Sequence, residues 1–332
     1  MTMRYAFLGS TGVRISKLAL GTMPFGGSVD DALAAELFRR SREAGINTFD
    51  CADVYNAGAA ERILGELIAG CRDEVVITTK AYFPTKDDAN ARGSSRYHLR
   101  NAVEASLRRL KTDRIDVFFL HRFDDHTDLE DTLRTVDDLV RAGKILYPAA
   151  SNFAAWQVAK ALGIAARRGF APLVAIQPMY NLVKRQAEVE LLPMAASEGL
   201  AVLPYGPLGG GLLSGRYGVG ERPANGRLVA NKMYATRYAD PENYTIAERF
   251  AALAAEVGVH PASLAIAWVA AHPAVSAPLL GVRTRQHLDI ALASQTVPMT
   301  AELYARVAAL SPTPPPATDR NEETSAHNYG SR

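Results

Sequence analysis

Cysteine is scarce in this chain, which has only Cys51 and Cys71 among 332 residues. Two distant cysteines without a CxxC spacing exclude a disulfide scaffold and give no zinc-binding pattern. Charge of one sign is scarce as well, because 37 basic and 35 acidic residues leave a net charge of +2. This balance gives no reason to expect a nucleic acid or an acidic membrane as a partner.

Long apolar runs are also missing. No stretch approaches the roughly 20 apolar residues that a membrane span needs, and the first twelve residues contain no apolar signal core. A hydrophobic content of 48% and a charged content of 22% are ordinary for a globular protein. We therefore expect a soluble, cytoplasmic monomer or homo-oligomer without a bound metal.

Short apolar runs are present instead, and they predict eight strands. The runs are four to seven residues long and begin near residues 18, 47, 75, 116, 145, 174, 200 and 278. Polar, glycine or proline residues bound each run, as expected for strands. The runs are apolar throughout rather than alternating, which is typical of parallel strands covered on both faces.

The spacing of these runs predicts the fold class. Five of the seven intervals between successive starts are 26 to 29 residues long, which is the size of one βα unit. Eight such units form an α/β fold, the (β/α)8 TIM barrel. A doubly wound sheet is the alternative, but no GxGxxG motif follows the first run.

The two longer intervals contain insertions at residues 81–95 and 207–245. Both follow a predicted strand and precede its helix, so we expect long loops on the C-terminal face of the barrel, where such folds carry their active sites. We expect residues 1–332 to form a single domain. Residues 1–16 contain a predicted β-hairpin turning at Ser10-Thr-Gly12, and residues 311–332 form a predicted surface tail.

Helix signals lie between the strands. Ser28 and Asp31 match a capping box before the first helix, and a second helix is predicted to begin near Ser95. Gly45, Gly143 and Gly169 stand where helices are expected to end.

Four polar residues at or just after neighbouring strand ends are candidates for catalysis. Asp50 ends the second predicted strand, Tyr55 lies five residues later, Lys80 ends the third strand and His121 ends the fourth. A buried lysine needs a counter-charge, which Asp50 supplies. We expect the Lys80 ammonium to lower the pKa of Tyr55 below about 10, which would make this phenol a proton donor or acceptor. A neutral His121 could polarise a carbonyl oxygen.

If these residues protonate a carbonyl oxygen while the carbonyl is reduced, a hydride source is needed as well, and no side chain supplies one. A glycine-rich segment, residues 206–215, follows the seventh strand, and residues 281–288 follow the eighth. Loops at these two places form the usual phosphate site of such barrels. Arg283 and Arg285 suit bidentate phosphate binding, and a second arginine favours NADPH, with NADH expected to bind more weakly.

The chain resembles the aldo-keto reductases over roughly residues 4–310, and it is similar to the channel β-subunit-like branch of that family. The segments that carry the resemblance are RYAFLGSTGVRISKLALGTMPFGG, INTFDCADVYNAGAAERILGELI, VVITTK, SLRRLKTDRIDVFFLHR, SNFAAWQV, QPMYNLVKRQAE and YGPLGGGLLSGRY. Several motifs in the right order are far more specific than any one of them. The chain departs from the family pattern at Cys51, Asn56, His287 and Ile290-Ala291.

The resemblance implies an NADP-dependent carbonyl reductase whose catalytic residues are Asp50, Tyr55, Lys80 and His121. It implies that Ser151, Asn152 and Gln177 hold the nicotinamide carboxamide and that Tyr205 stacks on the ring. Leu208, Gly210 and the following backbone would wrap the pyrophosphate. The remaining implied cofactor contacts are Gly21, Thr22, Met23, Asp50, Gly206, Pro207, Leu212, Gly281, Arg283, Arg285 and His287.

The substrate pocket is predicted from residues near the strand ends, namely Phe25, Tyr82, Phe83, Arg122 and Phe123. This mixture of aromatic and charged groups suits a sugar-like compound or an oxygenated polycyclic ketone as well as a small aldehyde. Two other functions stay open at this point. One is a cofactor-binding regulatory subunit with vestigial activity, and the other is an aldolase that forms a Schiff base through Lys80.

Overall fold

Eight parallel strands form one curled sheet in the computed structural model, which describes residues 3–318, 320 and 322. The sheet order is β10-β3-β4-β5-β6-β7-β8-β9. Backbone hydrogen bonds from Leu279 N to Pro204 O (2.9 Å) and from Ala277 N to Val202 O (3.2 Å) bring the two end strands together. This closure confirms the (β/α)8 barrel. The strands are β3 (Ala19–Gly21), β4 (Thr48–Asp50), β5 (Val76–Ala81), β6 (Ile115–Leu120), β7 (Ile145–Ser151), β8 (Ala175–Gln177), β9 (Ala201–Val202) and β10 (Leu279–Gly281).

The predicted strands agree with the observed ones within one or two residues, except at the seventh. There the predicted strand from Leu200 to Gly206 is reduced to β9, which has two residues. Backbone hydrogen bonds nevertheless continue beyond β9, from Leu203 N to Ile176 O and from Tyr205 N to Pro178 O, both at 2.9 Å.

An antiparallel hairpin precedes the barrel, as expected. It pairs β1 (Tyr5–Phe7) with β2 (Arg14–Ser16). Gly9 and Gly12 have φ angles of 54° and 80°, and these left-handed conformations let the chain reverse tightly. Leu8 and Ile15 are buried in a cluster that also contains inward residues of the barrel strands, so the hairpin packs on the barrel core.

Helices cover the outside of the sheet. They are α1 (Asp31–Glu43), α2 (Ala59–Ile68), α3 (Arg96–Leu110), α4 (Leu129–Arg141), α5 (Ala155–Arg168), α6 (Leu191–Ser197), α7 (Arg227–Ala230), α8 (Lys232–Arg237), α9 (Glu242–Glu256), α10 (Pro261–Ala271), α11 (Arg285–Ala293) and α12 (Ala301–Ala308). Each long helix buries one apolar face against the strands.

The predicted helix ends are largely confirmed. Ser95 caps α3 by accepting a hydrogen bond from the backbone of His98, and Gly45, Gly143 and Gly169 follow α1, α4 and α5 with positive φ angles. The predicted capping box of Ser28 and Asp31 is wrong, because Asp30 caps α1 and accepts from Leu33 N instead.

Both predicted insertions lie beyond the C-terminal ends of their strands. Residues 82–95 have no regular structure, and the buried Asp124 fixes their end by accepting a hydrogen bond from Ser94 N at 2.7 Å. The segment 207–245 includes a 3-10 turn (Gly209–Ser214), α7 and α8. The predicted tail begins as irregular structure at Ser311, whose carbonyl oxygen accepts from Arg185. Positions 319, 321 and 323–332 of that tail lie outside the described residues.

Candidate active site

Asp50 and Lys80 form a buried ion pair at the mouth of the barrel. Lys80 Nζ lies 2.6 and 2.7 Å from the two carboxylate oxygens of Asp50, and it also donates to the backbone oxygen of Cys51 at 2.6 Å. Thr78 and Gln177 each donate a further hydrogen bond to Asp50. Lys80 is 0% exposed, so every donor of its ammonium and both oxygens of its partner are satisfied inside the protein.

Tyr55 is positioned by an unusual turn after β4. It begins a 3-10 turn in which Asn56 and Ala57 both adopt left-handed backbone conformations, with φ angles of 48° and 53°. Asparagine tolerates this region better than most residues. The Asn56 amide donates to the carbonyl oxygens of Met23 (2.9 Å) and Phe25 (2.7 Å), which fastens the Tyr55 turn to the loop after β3.

The expectation that Lys80 lowers the pKa of Tyr55 is wrong. Burial and then the negative charge of Asp50 raise this pKa well above 10. Lys80 Nζ lies 5.2 Å from the centre of the Tyr55 ring, but its hydrogen bonds go to Asp50 and Cys51. Because the Asp50 carboxylate offsets most of the field of the ammonium, desolvation outweighs the attraction that remains between Lys80 and a Tyr55 phenolate. Tyr55 therefore keeps its proton at neutral pH.

His121 completes the group as a neutral imidazole. Its ring centre lies 6.2 Å from that of Tyr55 in an edge-on arrangement. Burial and the nearby Lys80 charge lower the pKa of His121 to about 3. Its buried Nδ1 has no hydrogen-bond partner among the described residues. An uncharged ring of this kind can hydrogen-bond a carbonyl oxygen without first losing a proton.

The residues expected to hold a carboxamide lie in one network beside this pair. Asn152 donates to His121 O (2.9 Å) and to Ser151 Oγ (3.1 Å), and its side-chain oxygen accepts from the Tyr205 hydroxyl at 2.8 Å. Ser151 in turn donates to the backbone oxygen of Gln177. Asn152 has a φ angle of 56°, a left-handed conformation that asparagine adopts more readily than most residues.

The glycine-rich segment after β9 lies under the second insertion. Gly210 has a φ angle of 70°, and a Cβ atom there would lie 2.7 Å from Cδ1 of Tyr234. Only glycine therefore allows Tyr234 to pack on this backbone. Leu212 is 0% exposed, so this structure does not present it as a cofactor contact.

A cluster of cations lies next to this segment. Burial lowers the pKa of Arg283, and the neighbouring charges of Arg227 and Arg216 lower it further. Burial also lowers the pKa of His287, again with Arg283 and Arg216 nearby. Arg283, Arg227 and Arg216 form no ion pair with a carboxylate of residues 3–318, 320 or 322. We call these three arginines the arginine cluster; they fit the phosphates of a dinucleotide.

Arg285 lies in a different environment. Its guanidinium pairs with Glu36 of α1 at 2.5 Å, and its side chain is 67% exposed. A phosphate would have to compete with this carboxylate for Arg285, so the arginine cluster is the better candidate for the phosphate end. Arg216 and Arg227 were missed by sequence reasoning because nothing in the 207–245 segment shows which of its charged residues turn inward.

The predicted substrate residues separate into two groups. Phe25 is 0% exposed and belongs to the main hydrophobic core. The prediction that Phe25 contacts the substrate is therefore wrong in this structure, where its side chain packs beneath the loop after β3. Phe83 is half-buried, and its ring lies 4.9 Å from the His121 ring, with Tyr82 against it at 5.3 Å. Phe123 lies 6.0 Å from Trp156.

A metal site and a membrane-spanning helix were also sought among the residues that the structure describes. Within residues 3–318, 320 and 322, no group of three or more His, Cys, Asp or Glu side chains could hold a metal ion. Over the same residues, no single helix is long and apolar enough to cross a bilayer. The pair α9 and α10 passes that test only when taken together, and it is bent by 97°.

Comparison with known proteins agrees with this geometry. A model of the aldo/keto reductase family matches residues 17–312. The uncharacterized oxidoreductase YrpG of Bacillus subtilis (strain 168) is 36% identical over 326 residues, covering 94% of this chain and 97% of that protein. A probable voltage-gated potassium channel subunit beta of Oryza sativa subsp. japonica is 33% identical, covering 96% of this chain and 99% of that protein. The versiconal hemiacetal acetate reductase of Aspergillus parasiticus is 31% identical, covering 90% and 94%. Because the match spans nearly the whole barrel that assembles these side chains, the chain belongs to the aldo/keto reductase family of oxidoreductases, which act with a nicotinamide cofactor.

Proposed function

We propose that this protein reduces aldehyde or ketone carbonyls to alcohols with NADPH, and that Tyr55 donates the proton. The observation that carries the proposal is the arrangement of Tyr55 and His121, whose ring centres lie 6.2 Å apart at the mouth of the barrel. Burial keeps the proton on the Tyr55 phenol and keeps the His121 imidazole neutral. A reduced nicotinamide, when bound, supplies the hydride that no side chain can supply. The protein then has to bind, orient and protonate the substrate oxygen.

Each residue has a separate part in this reaction. His121 orients the carbonyl oxygen, and Tyr55 delivers its proton to that oxygen as negative charge develops there. Lys80 lies 5.2 Å from the Tyr55 ring and stabilises the resulting phenolate electrostatically. Asp50 fixes Lys80 in place, and Ser151, Asn152, Gln177 and Tyr205 form the surface on which the nicotinamide is held.

The arginine cluster supports NADPH rather than NADH as the cofactor. Arg227 and Arg216 each repel Arg283, and none of the three has an acidic partner within the described part of the chain. A ribose 2′-phosphate adds two negative charges to the cofactor, and arginine binds phosphate in a bidentate geometry. Leu208 and the glycines after it offer backbone N–H groups to the pyrophosphate.

A regulatory role is the second function to consider, because one relative is named as a channel subunit. All four catalytic side chains are present and assembled, however, which favours an enzyme. The aldolase hypothesis receives no support, since the Lys80 ammonium is fully engaged by Asp50 and Cys51 and a Schiff base requires a free amine.

The test is NADPH oxidation, followed at 340 nm, with a panel of aldehydes and ketones. We expect turnover with the native protein and a loss of at least about 100-fold in kcat for Tyr55→Phe. The variant should bind NADPH with a Kd close to that of the native protein, because the hydroxyl is needed for proton transfer only. Full activity in Tyr55→Phe would show that the proton comes from elsewhere. No turnover with any carbonyl, together with tight NADPH binding, would favour a regulatory role.

A further inference from the structure

An open cleft of about 720 Å³ lies between the loop after β8 and helix α8. Its walls are Met179 and Lys184 from the loop, and Lys232, Met233, Thr236 and Arg237 from the helix. A volume of several hundred Å³ is typical of sites for small organic molecules. The two methionines give the cleft an adaptable apolar lining.

All the charged side chains that line this cleft are positive. Lys184, Lys232 and Arg237 contribute three cations, and none of them pairs with a carboxylate in the portion of the chain that the structure describes. Lys184 Nζ lies 5.7 Å from the Tyr238 ring and the Arg237 guanidinium 5.2 Å from the Tyr234 ring. Their available partners are therefore aromatic faces, which leave the cations free to bind an anion.

The cleft adjoins the proposed active site. Met179 forms an isolated parallel bridge with Tyr205, the residue expected to stack on the nicotinamide. The Tyr205 hydroxyl donates to Asn152, which itself donates to the backbone oxygen of His121. Burial raises the pKa of Tyr205, and the charge of Arg237 opposes this shift. Lys184 and Arg237 are half-buried, and Lys232 lies at the exposed rim.

We propose that this cleft binds an anionic group, a carboxylate or a phosphate, carried by the carbonyl substrate. The inference rests on the proposed function and narrows its substrate class to anionic carbonyl compounds with an apolar body. Three unpaired cations on two elements attract such a group, and the methionines accommodate the apolar part.

A matched pair of aldehydes tests the proposal: 4-carboxybenzaldehyde, which is an anion, and its neutral methyl ester. At low ionic strength we expect kcat/KM for the acid to exceed that for the ester by about tenfold or more. Raising the salt concentration should lower the value for the acid and leave the ester nearly unchanged, since salt screens the attraction. Equal values for the two compounds at low salt would overturn the proposal while leaving carbonyl reduction intact.

Variants then locate the effect. Lys184→Met/Lys232→Met should reduce the acid-to-ester ratio to about one, whereas Lys160→Met, on the exposed side of α5, should keep the native ratio. A rise in KM for NADPH in the double variant, with the ratio unchanged, would assign the cations to the cofactor and overturn the proposal.

A binding measurement separates this inference from the reaction itself. Terephthalate, a dianion of the same size that cannot be reduced, should bind the native protein in calorimetry and bind the double variant at least tenfold more weakly. Equal binding, or none in the native protein, would refute the anion site. Absence of NADPH oxidation with these two aldehydes and with the whole carbonyl panel, beside normal terephthalate binding, would instead refute the proposed function.

Discussion

Two groups of charged side chains face the same end of this barrel, and they are built in opposite ways. Asp50 and Lys80 meet in a buried pair whose hydrogen-bonding groups are all satisfied by the protein. The arginine cluster brings like charges together with no carboxylate to compensate them in the described chain. The first arrangement is complete without a ligand. The second is unfavourable until an anion from outside arrives, so unpaired charge indicates where the molecule binds and paired charge indicates what it keeps rigid.

Breaking the paired group should give the largest effect. Lys80→Met leaves the Asp50 carboxylate buried without its counter-charge, a change that costs about 3–5 kcal/mol of unfolding free energy in comparable pairs. We also expect kcat to fall at least about 100-fold, because the phenolate of Tyr55 loses its nearby cation. Urea unfolding and NADPH oxidation measure the two effects.

The double variant Asp50→Asn/Lys80→Met separates stability from catalysis. It removes both charges from the buried site, so most of the lost stability should return while the activity stays low. A double variant as unstable as Lys80→Met alone would contradict the view that the unpaired carboxylate causes the loss.

Removing one arginine from the unpaired cluster should affect cofactor binding more than folding. Arg283→Ala removes one member of the arginine cluster, and we expect the Kd for NADPH to rise about tenfold, with a smaller rise for NADH. The melting temperature without cofactor should not fall, because the substitution also relieves repulsion from Arg216 and Arg227. Fluorescence titration and thermal unfolding provide the two readouts.

Arg285→Ala is the matched control for this comparison. Arg285 pairs with Glu36 at the surface, so its removal should change NADPH affinity by less than the loss of Arg283 does. A larger effect at Arg285 would mean that bound cofactor draws it away from Glu36 and that the assignment of the phosphate to the cluster is wrong.

The sequence predicts the paired group much better than the unpaired one. Asp50, Lys80 and His121 lie at or just after strand ends, and the ends of neighbouring parallel strands meet at one face, so their meeting follows from the spacing of apolar runs. Arg216 and Arg227 lie in a long loop whose path is set by tertiary contacts such as Tyr234 on Gly210. Phe25 follows a strand end too, but the turn after β3 directs its side chain into the core. Loop direction is not encoded in hydrophobic periodicity.

Asp53 sharpens the comparison because it is a buried carboxyl group without a partner, close to the Asp50–Lys80 pair. It is 1% exposed, and within the described residues neither carboxylate oxygen has a hydrogen-bond partner. Burial, with the nearby charge of Glu61, raises the pKa of Asp53 to about 8. Between about pH 4 and pH 8 the native state therefore holds a proton that the unfolded state has lost, and stability falls as pH rises through this window.

Asp53→Asn should remove this dependence. We expect the unfolding free energy of the variant, relative to that of the native protein, to grow by about 4 kcal/mol between pH 5 and pH 9. Urea unfolding at both pH values measures it. Asp125→Asn, at an exposed position, serves as the control and should track the native protein. A constant difference between Asp53→Asn and native protein across the range would contradict the raised pKa.

The smallest expected effect is on the rate of carbonyl reduction between pH 6 and pH 9. Tyr55 keeps its proton because its pKa is raised well above 10 by burial and Asp50, and His121 stays neutral because its pKa is about 3. Neither of these two proposed hydrogen donors changes its charge in this range, so kcat at saturating cofactor and substrate should vary less than about threefold. A steady fall in kcat above pH 7 would mean that the pKa of the donor lies near neutrality. The Lys80 ammonium would then stabilise the Tyr55 phenolate by more than burial and Asp50 destabilise it.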